Sequence, residues 1–382
     1  IETVKVVHEL RNNNVLDKIG GASAITDWQD KAPTKYNAPY WLSELFLYKT
    51  RRQTKAKLET ALATVTRAST GEIDDVISSL QTFILDIKDH VSRTTDETLK
   101  ETVQEIVQEI EERYNNKSDT PWGIPTGWLT LDNALGGLRD GGLYIIAGRP
   151  GQGKTAMAIS IARNILLSAI PTAMFSLEMT KKELGMRLMA VHADMDMTTV
   201  YRGVLNQDDF KKITKGTEVK MLPLYVSDRT DLTTSMMRSE ARRYVSNHGV
   251  RLIIVDYLQL LQGSKEARKQ GKYEVVSEIS RGLKLMATEL NVPVIALAQL
   301  NREIEKKGNR KPQLSDLRDS GSIEQDADCC MFLYEPPKEE IGEANKRVNM
   351  VIAKNRNGQS GGDIQFEFQP EYTKFVPLSP VL

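Results

Sequence analysis

The spacing of apolar residues changes along the chain and divides it into three regions. Residues 1–92 show helical periodicity without strand alternation, which predicts an all-α N-terminal domain. Residues 93–121 hold one amphipathic segment between polar stretches, which predicts a linker with a helix. From residue 122 to residue 382, apolar runs of strand length alternate with helical segments, as is typical of an α/β domain with a largely parallel sheet. Because the helical pattern is already under way at Ile1, we expect the N-terminal domain to be incomplete at its start.

The first two regions have apolar faces but no catalytic constellation. In residues 1–92 we predict a long helix from about Pro39 and an antiparallel partner after Thr70-Gly71, which favours a docking role over chemistry. Along the linker helix, apolar residues form one stripe among polar faces: Leu99, Val103, Ile106, Val107 and Ile110. Such a stripe needs a surface to cover it, either on its own chain or on another protein.

The α/β region contains eight runs with the length and composition of strands. Five are expected in the parallel part of the sheet: 142–147, 172–177, 252–256, 293–298 and 330–334. Three late runs could pair as an antiparallel extension at one edge: 348–354, 363–368 and 373–377.

Charge and cysteine content narrow the class of protein. Lys+Arg and Asp+Glu both number 51, so bulk charge favours neither nucleic acid nor membrane, and any polyanion site must be a local patch. The only cysteines, Cys329 and Cys330, are adjacent in an apolar run, which predicts buried thiols in a reducing compartment. Two cysteines cannot supply a four-ligand zinc module. No run of 18 apolar residues is present, so we expect no membrane association.

One octapeptide indicates nucleotide chemistry. Residues 148–155 match G-x-x-x-x-G-K-[ST] between a predicted strand and a predicted helix, the context in which backbone N–H groups surround phosphates. The nucleotide-binding residues predicted from it are Gly148, Gly151, Gly153, Lys154, Thr155 and Ala156. Lys154 is expected to reach the β- and γ-phosphates, and Thr155 to ligate Mg²⁺.

Three other predicted strands end in polar residues, where open α/β sheets bind ligands. Glu178 could orient and deprotonate a water that attacks the γ-phosphate, or it could be a carboxylate at a helix start. Asp256 is weak evidence alone, but beside a phosphate loop it is the expected second group for Mg²⁺. Gln299 could sense the γ-phosphate or merely satisfy loop backbone.

Basic residues follow several of these strands. One segment contains Lys265, Arg268, Lys269 and Lys272, with Gly263 and Gly271 loosening it, and a second contains Arg302, Lys306, Lys307, Arg310 and Lys311. Charge alone is more typical of a solvated surface than of a DNA contact. A third, polar segment spans 315–324 with one arginine and one glycine.

Lys354 and Arg356 are two positions apart on a late strand, so both should point the same way. This spacing suits a phosphate clamp, but charges that deter pairing at an exposed sheet edge are an alternative.

Together these segments resemble the replicative hexameric DNA helicases of the DnaB family, including phage-encoded members. The resemblance covers nearly the whole chain and rests on residues 123–127, 148–155, 176–179, 255–259, 295–300, 316–328 and 354–358, of which 316–328 is the most specific. Asp319 departs from the family, since many relatives have Glu there.

The resemblance implies a RecA-like P-loop ATPase domain that uses ATP and Mg²⁺ and forms a homo-hexameric ring around single-stranded DNA. It also implies 5′→3′ movement, an N-terminal domain that docks primase and a helicase loader, and a linker stripe packed on the neighbouring subunit. Catalytic roles would fall to Glu178, Lys154, Gln299, Arg356 and Lys354, and metal binding to Thr155 and Asp256. DNA contacts would come from Arg318, Asp319, Gly321, Lys265, Arg268 and Lys269.

The compartment implied is the cytoplasm, or the bacterial host's cytoplasm for a phage protein. Two other functions remain alternatives at this stage. A RecA-like strand-exchange ATPase would share the core, but the helical N-terminal region argues against it. A non-catalytic ring scaffold would not need Lys154, Thr155, Glu178 and Asp256 intact.

Overall fold

A computed structural model describes residues 99–115, 121–300, 310–317, 321–336 and 346–378, with scattered positions between 10 and 66. The chain forms two compact units, Ile1–Thr98 and Leu99–Leu382. In the first unit, the described residues between 48 and 66 are helical, and the hydroxyls of Thr60 and Thr66 donate to the carbonyls of Ala56 and Leu62. The predicted partner helix after Gly71 lies outside the described residues. The boundaries at 92 and 121 therefore stay predictions.

The second unit is built on a nine-stranded sheet with the order β3-β2-β4-β5-β1-β6-β7-β8-β9. Pairing is parallel from β3 through to β6 and antiparallel from β6 to β9. The strands are β1 Leu143–Gly148, β2 Thr172–Ser176, β3 Leu224–Ser227, β4 Leu252–Asp256, β5 Val294–Gln299, β6 Cys329–Tyr334, β7 Lys346–Asn355, β8 Asp363–Gln369 and β9 Lys374–Pro377. The predicted parallel sheet with an antiparallel extension is confirmed.

The apolar pattern did not indicate β3. This strand has four residues, lies beside β2 at the edge of the sheet that the structure describes, and has mostly half-buried side chains. A short edge strand of this kind lacks the continuous apolar run that marked β1, β4 and β5.

Helices cover the sheet and follow several of its strands. In chain order they are α1 Leu99–Asn115, α2 Leu129–Leu135, α3 Lys154–Leu167, α4 Lys181–Ala193, α5 Met197–Arg202, α6 Gln207–Gly216, α7 Thr234–His248, α8 Lys265–Gln270, α9 Lys272–Leu290 and α10 Gly321–Asp326. Among the helices that the structure describes, none has the length and apolar content to span a bilayer.

Strands β1, β2, β4, β5 and β6 are buried on both faces, and alternate residues along β1 enter different cores. In β1, Tyr144 and Ile146 belong to the core that α3 covers, whereas Leu143 and Ile145 belong to the core beneath α7 and α9. This explains why the parallel strands are continuous apolar runs. Cys329 and Cys330 are buried free thiols in β6, and burial raises the pKa of Cys330 to about 12.

The stripe on α1 is exposed where the structure describes it. Its five predicted residues are all exposed, as is Tyr114 further along the helix. Hence the alternative in which the stripe packs on its own chain finds no support among the described residues.

Candidate functional site

The phosphate loop lies where β1 ends and α3 begins. Gly151 and Gly153 have φ values of 78° and 80°, in the left-handed region that glycine adopts without a Cβ clash. The Gln152 Oε1 atom accepts a 2.7 Å hydrogen bond from the Arg149 N–H, which closes the turn from inside. Behind the loop, a Cβ added at Gly153 would lie 2.9 Å from the ring of Phe375 in β9. The antiparallel extension thus supports the loop from behind, a contact that no sequence signal indicated.

Lys154 points its ammonium into this loop. Its Nζ donates to the carbonyls of Gly148 at 3.1 Å and Arg149 at 3.2 Å. Burial lowers the pKa of Lys154, while the carboxylates of Asp256 and Glu178 act in the opposite direction. The cation therefore lies where it can exchange two carbonyl contacts for phosphate oxygens.

Thr155 and Asp256 meet at the carboxyl edge of the sheet, 101 residues apart in sequence. The Thr155 hydroxyl donates to the Asp256 Oδ2 at 2.8 Å, and Asp256 is almost fully buried. Burial raises the pKa of Asp256, and the nearby Glu178 raises it further, whereas the hydrogen bond from Thr155 lowers it. A hydroxyl beside a carboxylate is a set of hard oxygen ligands that fits Mg²⁺.

Glu178 follows the neighbouring strand. Ser176, the last residue of β2, pairs in register with Asp256, and the Leu177 N–H donates to the Asp256 carbonyl at 2.8 Å. The Ser176 hydroxyl donates to the Met179 carbonyl and so shapes the turn that carries Glu178, whose side chain is exposed. The alternative role at a helix start belongs to other residues, because Thr180 caps α4 in a reciprocal pair with Glu183.

Gln299 is level with the phosphate loop, since it pairs with Gly148 in the register of β1 and β5. Its backbone is held by the side chain of Gln259, which accepts from the Gln299 N–H at 3.3 Å and donates to its carbonyl at 3.4 Å. The Gln259 side chain thus satisfies the backbone of Gln299, while both predicted roles of the Gln299 side chain stay predictions.

Comparison with known proteins places this site in a family. The protein-family model described as the DnaB-like helicase C-terminal domain matches residues 123–377 of this chain. Over 381 residues the chain is 35% identical to the replicative DNA helicase DnaC of Bacillus subtilis (strain 168), covering 99% of this chain and 83% of that protein. The replicative DNA helicase DnaB of Geobacillus stearothermophilus is 34% identical with the same coverage.

The chain belongs to the DnaB-like helicase family. Two solved structures agree with this. One is a DnaB-like replicative helicase, described with its interactions with primase, at a TM-score of 0.77 and 28% identity over 99% of this chain and 88% of that one. The other is an isolated ATPase domain, at a TM-score of 0.68 and 34% identity over 74% of this chain and all of that one. The predicted family of ATP-dependent replicative DNA helicases and the RecA-like fold are confirmed.

In this DnaB-like chain, Lys354 and Arg356 lie at the other end of the sheet from the phosphate loop. Lys354 is opposite Cys330 near the start of β6, and β6 runs parallel to β1. The six residues of β1 separate the two edges, at about 3.3 Å per residue. The pairing of β7 with β8 ends at Val351, so at Lys354 only β6 is paired, and the alternative of charges at an exposed sheet edge stays open.

The first predicted DNA segment is helical and not a loosened loop. Lys265, Arg268 and Lys269 are exposed on α8, whose cap residue Ser264 donates its hydroxyl to Glu278 of α9 at 2.9 Å. The prediction that Gly263 loosens the segment is wrong, because a Cβ there would lie 3.0 Å from the side chain of Val275. The three cations are thus presented on an anchored helix.

The other predicted DNA residues are described only in part. Gly321 is exposed at the first position of α10, whereas Arg318 and Asp319 lie outside the described residues. In the second basic segment, Arg310 is bonded to Asp316 at 2.6 Å and Lys311 to Asp363 at 2.9 Å. These two charges are already paired within the chain.

Arg187 was not singled out from the sequence. It is half-buried on α4, and its charge acts to lower the pKa of Asp256. Only the packing of α4 against the sheet brings this guanidinium near the carboxylates, since α4 follows β2 and Asp256 ends β4.

Proposed function

We propose that the carboxyl edge of the parallel strands binds and hydrolyses ATP and that the chain uses this reaction to unwind DNA. The observation that carries the proposal is the 2.8 Å contact between the Thr155 hydroxyl and the Asp256 carboxylate, beside the ammonium of Lys154. The backbone from Gly148 to Ala156 would surround the β- and γ-phosphates, and Lys154 would bind their oxygens. Thr155 and Asp256 would hold Mg²⁺, which neutralises phosphate charge when bound.

In this proposal Glu178 orients and deprotonates the attacking water. Support comes from its position two residues beyond Ser176, which pairs with Asp256, and from its exposed side chain. An exposed carboxylate next to the metal-binding pair can reach a water without leaving its turn. Gln299 would report the state of the γ-phosphate, because it lies level with Gly148 while Gln259 holds its backbone.

The same proposal assigns Lys354 and Arg356 to the nucleotide of a neighbouring subunit. They lie toward the amino ends of the parallel strands and contact residues 324–327 there, whereas their own phosphate loop follows the carboxyl end of β1. In a homo-hexameric ring, that edge of one subunit can face the loop of the next. An arginine supplied in trans contributes about 10³–10⁵ in rate to phosphoryl transfer.

Single-stranded DNA would pass through the channel of the ring. Lys265, Arg268 and Lys269 are exposed on α8, and Gly321 begins α10 at the end of the segment with Arg318 and Asp319. Contacts of this kind bind the phosphate backbone without reading sequence, as movement along a strand requires. The direction of movement, 5′→3′, follows from family membership.

Family membership also supplies the proposed partners. The N-terminal unit would dock primase and a helicase loader, and the exposed stripe of α1 would pack on the neighbouring subunit. One relative's structure is described with its interactions with primase. The proposed compartment is the cytoplasm, which for a phage-encoded protein is that of the bacterial host.

A mixing experiment tests the shared site. Arg356→Ala and Glu178→Gln proteins are each expected to bind ATP and hydrolyse it poorly. After subunit exchange has been verified by native mass spectrometry, the mixture should hydrolyse ATP, because some interfaces pair an intact Glu178 with an intact Arg356. If the mixture is no more active than its parents, Arg356 does not act across the interface.

A further inference from the structure

Asp328 lies between the sheet, α9 and the proposed trans-acting cations. Its Oδ2 accepts from the Leu143 N–H at 2.8 Å and from the Lys284 ammonium at 2.6 Å, while its Oδ1 faces the Arg356 guanidinium at 3.3 Å. Its backbone accepts from the Arg356 N–H at 2.9 Å and donates to the Leu143 carbonyl at 2.9 Å. One carboxylate oxygen is thus committed to the framework, and the other remains for Arg356.

Asp328 and Lys284 are largely buried, whereas Arg356, the side chain that Asp328 contacts, is more exposed. The side chain of Asp328 is 12% exposed and that of Lys284 is 23%, whereas that of Arg356 is 47%. Lys284 also donates to the Gly141 carbonyl at 2.9 Å, so this ammonium is fixed at two points. The buried carboxylate therefore has a permanent counter-charge and does not depend on Arg356 for neutralisation.

The same group of contacts includes the end of α10. Lys354 donates to the carbonyls of Glu324 and Ala327, and Arg356 donates to the carbonyl of Gln325. Glu324 and Gln325 belong to the last turn of the helix, whose carbonyls lack partners within it, and Ala327 follows directly after the helix ends. The helix α10 begins shortly after Arg318, a proposed DNA contact. Lys354 and Arg356 therefore contact the helix that directly follows the proposed DNA-binding segment.

A guanidinium has five N–H donors in a fixed plane, and contacts to Asp328 and Gln325 leave others available. Asp328 on one terminal nitrogen and the Gln325 carbonyl on the other fix the orientation of the guanidinium, while the side chain stays 47% exposed. Displacing such a group by about 1 Å lowers the rate of phosphoryl transfer far more than it lowers the affinity for nucleotide.

We propose that Asp328, held by Lys284, is the positioning residue that aims Arg356 at the phosphates of the neighbouring subunit. This inference rests on the proposed function, in which Arg356 acts across the interface. In this proposal Asp328 acts only through Arg356, so its loss should lower kcat and leave ATP affinity unchanged. It should also damage the face of the subunit that donates Arg356 and not the face that binds ATP.

The first test compares Asp328→Asn with a matched control, Asp326→Asn. Asp326 carries the same charge two residues earlier, where it lies 3.6 Å from Arg281 and not beside Arg356. For Asp328→Asn we expect kcat to fall by at least about tenfold with the Kd for ATP within about twofold. The control should stay within about twofold in both. Unchanged turnover in Asp328→Asn, or an equal loss in both variants, would overturn the proposal.

A double variant distinguishes a folding defect from the loss of Arg356 positioning. Asp328→Asn leaves the Lys284 ammonium without a counter-charge, whereas Lys284→Met with Asp328→Asn removes both charges of the pair. The double variant should assemble like the parent and show the same fall in kcat. Recovery of turnover in the double variant would mean that the unpaired lysine, and not the aim of Arg356, caused the loss.

The decisive measurement is a set of mixed rings. Asp328→Asn mixed with Glu178→Gln should regain ATPase activity, because some interfaces then combine an undamaged donor with an undamaged acceptor. Asp328→Asn mixed with Arg356→Ala should not, because every donor face is damaged. If the second mixture regains activity, Asp328 does not work through Arg356. Failure of Arg356→Ala with Glu178→Gln would instead overturn the shared site itself.

Discussion

Two glycines of the phosphate loop offer a direct test of the contact between the loop and the antiparallel extension. Gly151 and Gly153 have almost the same backbone conformation, with φ of 78° and 80°. A Cβ at Gly151 would have no neighbour within 4 Å, whereas one at Gly153 would lie 2.9 Å and 3.0 Å from ring atoms of Phe375. Substituting each with alanine therefore applies the same backbone strain, but only Gly153→Ala adds a clash.

The magnitudes follow from these two contributions. Alanine in the left-handed region costs about 1–2 kcal/mol at either position. Forcing a methyl group into a packed site costs about 1–3 kcal/mol more. Phe375 cannot easily give way, since it is buried, stacked on Phe368 at 4.6 Å and edge-on to Phe366 at 6.1 Å. We expect the free energy of unfolding to fall by about 2–5 kcal/mol in Gly153→Ala and about 1–2 kcal/mol in Gly151→Ala.

Differential scanning calorimetry on the full chain measures the difference. For a domain of this size each kcal/mol corresponds to about 2–4 °C in Tm, so Gly153→Ala should melt about 2–12 °C below Gly151→Ala. Adding Phe375→Leu to each variant gives the matched comparison, because a smaller side chain should narrow the gap between them. Equal Tm values for the two alanine variants would refute the packing argument. ATP affinity is measured separately, since both substitutions alter the phosphate loop.

Three further predictions concern the site and its partners. Glu178→Gln should bind ATP normally and hydrolyse it at least about 10²-fold more slowly, whereas Lys154→Ala should weaken ATP binding. Hydrolysis by Glu178→Gln at a near wild-type rate would contradict the role of Glu178 as the base. Burial, and next the charge of Arg356, lower the pKa of Lys354, so its ammonium deprotonates at lower pH than an ordinary lysine. The ATPase rate should therefore fall on the alkaline side, and Lys354→Arg should remove that fall; an identical pH profile in both proteins would count against a role for the charge. Arg318→Ala should reduce the salt slope of single-strand binding by about one with no sequence bias, and an unchanged slope would reject a phosphate contact.

Much of the site could be predicted from the sequence because its residues follow strands that are themselves easy to recognise. Lys154 and Thr155 come from one contiguous motif, and Asp256 and Gln299 each end a continuous apolar strand. Carboxyl ends of parallel strands meet at one edge, so the order of strands and helices was enough to place these side chains together. Residues that only support them, such as Gln259 and Phe375, belong to no motif and could not be found this way.

The sequence by itself determined the alternation of strands and helices, the phosphate loop and the family, because each depends on neighbours a few residues apart. Tertiary structure alone decided which distant groups meet. The 2.8 Å bond from Thr155 to Asp256 joins residues 101 positions apart, and Asp328 meets Leu143 across 185 positions. It also decided that Lys354 and Arg356 face away from their own phosphate loop, since that depends on β7 running antiparallel beside β6. Strand register and direction arise from packing of the whole sheet, and no local pattern records them.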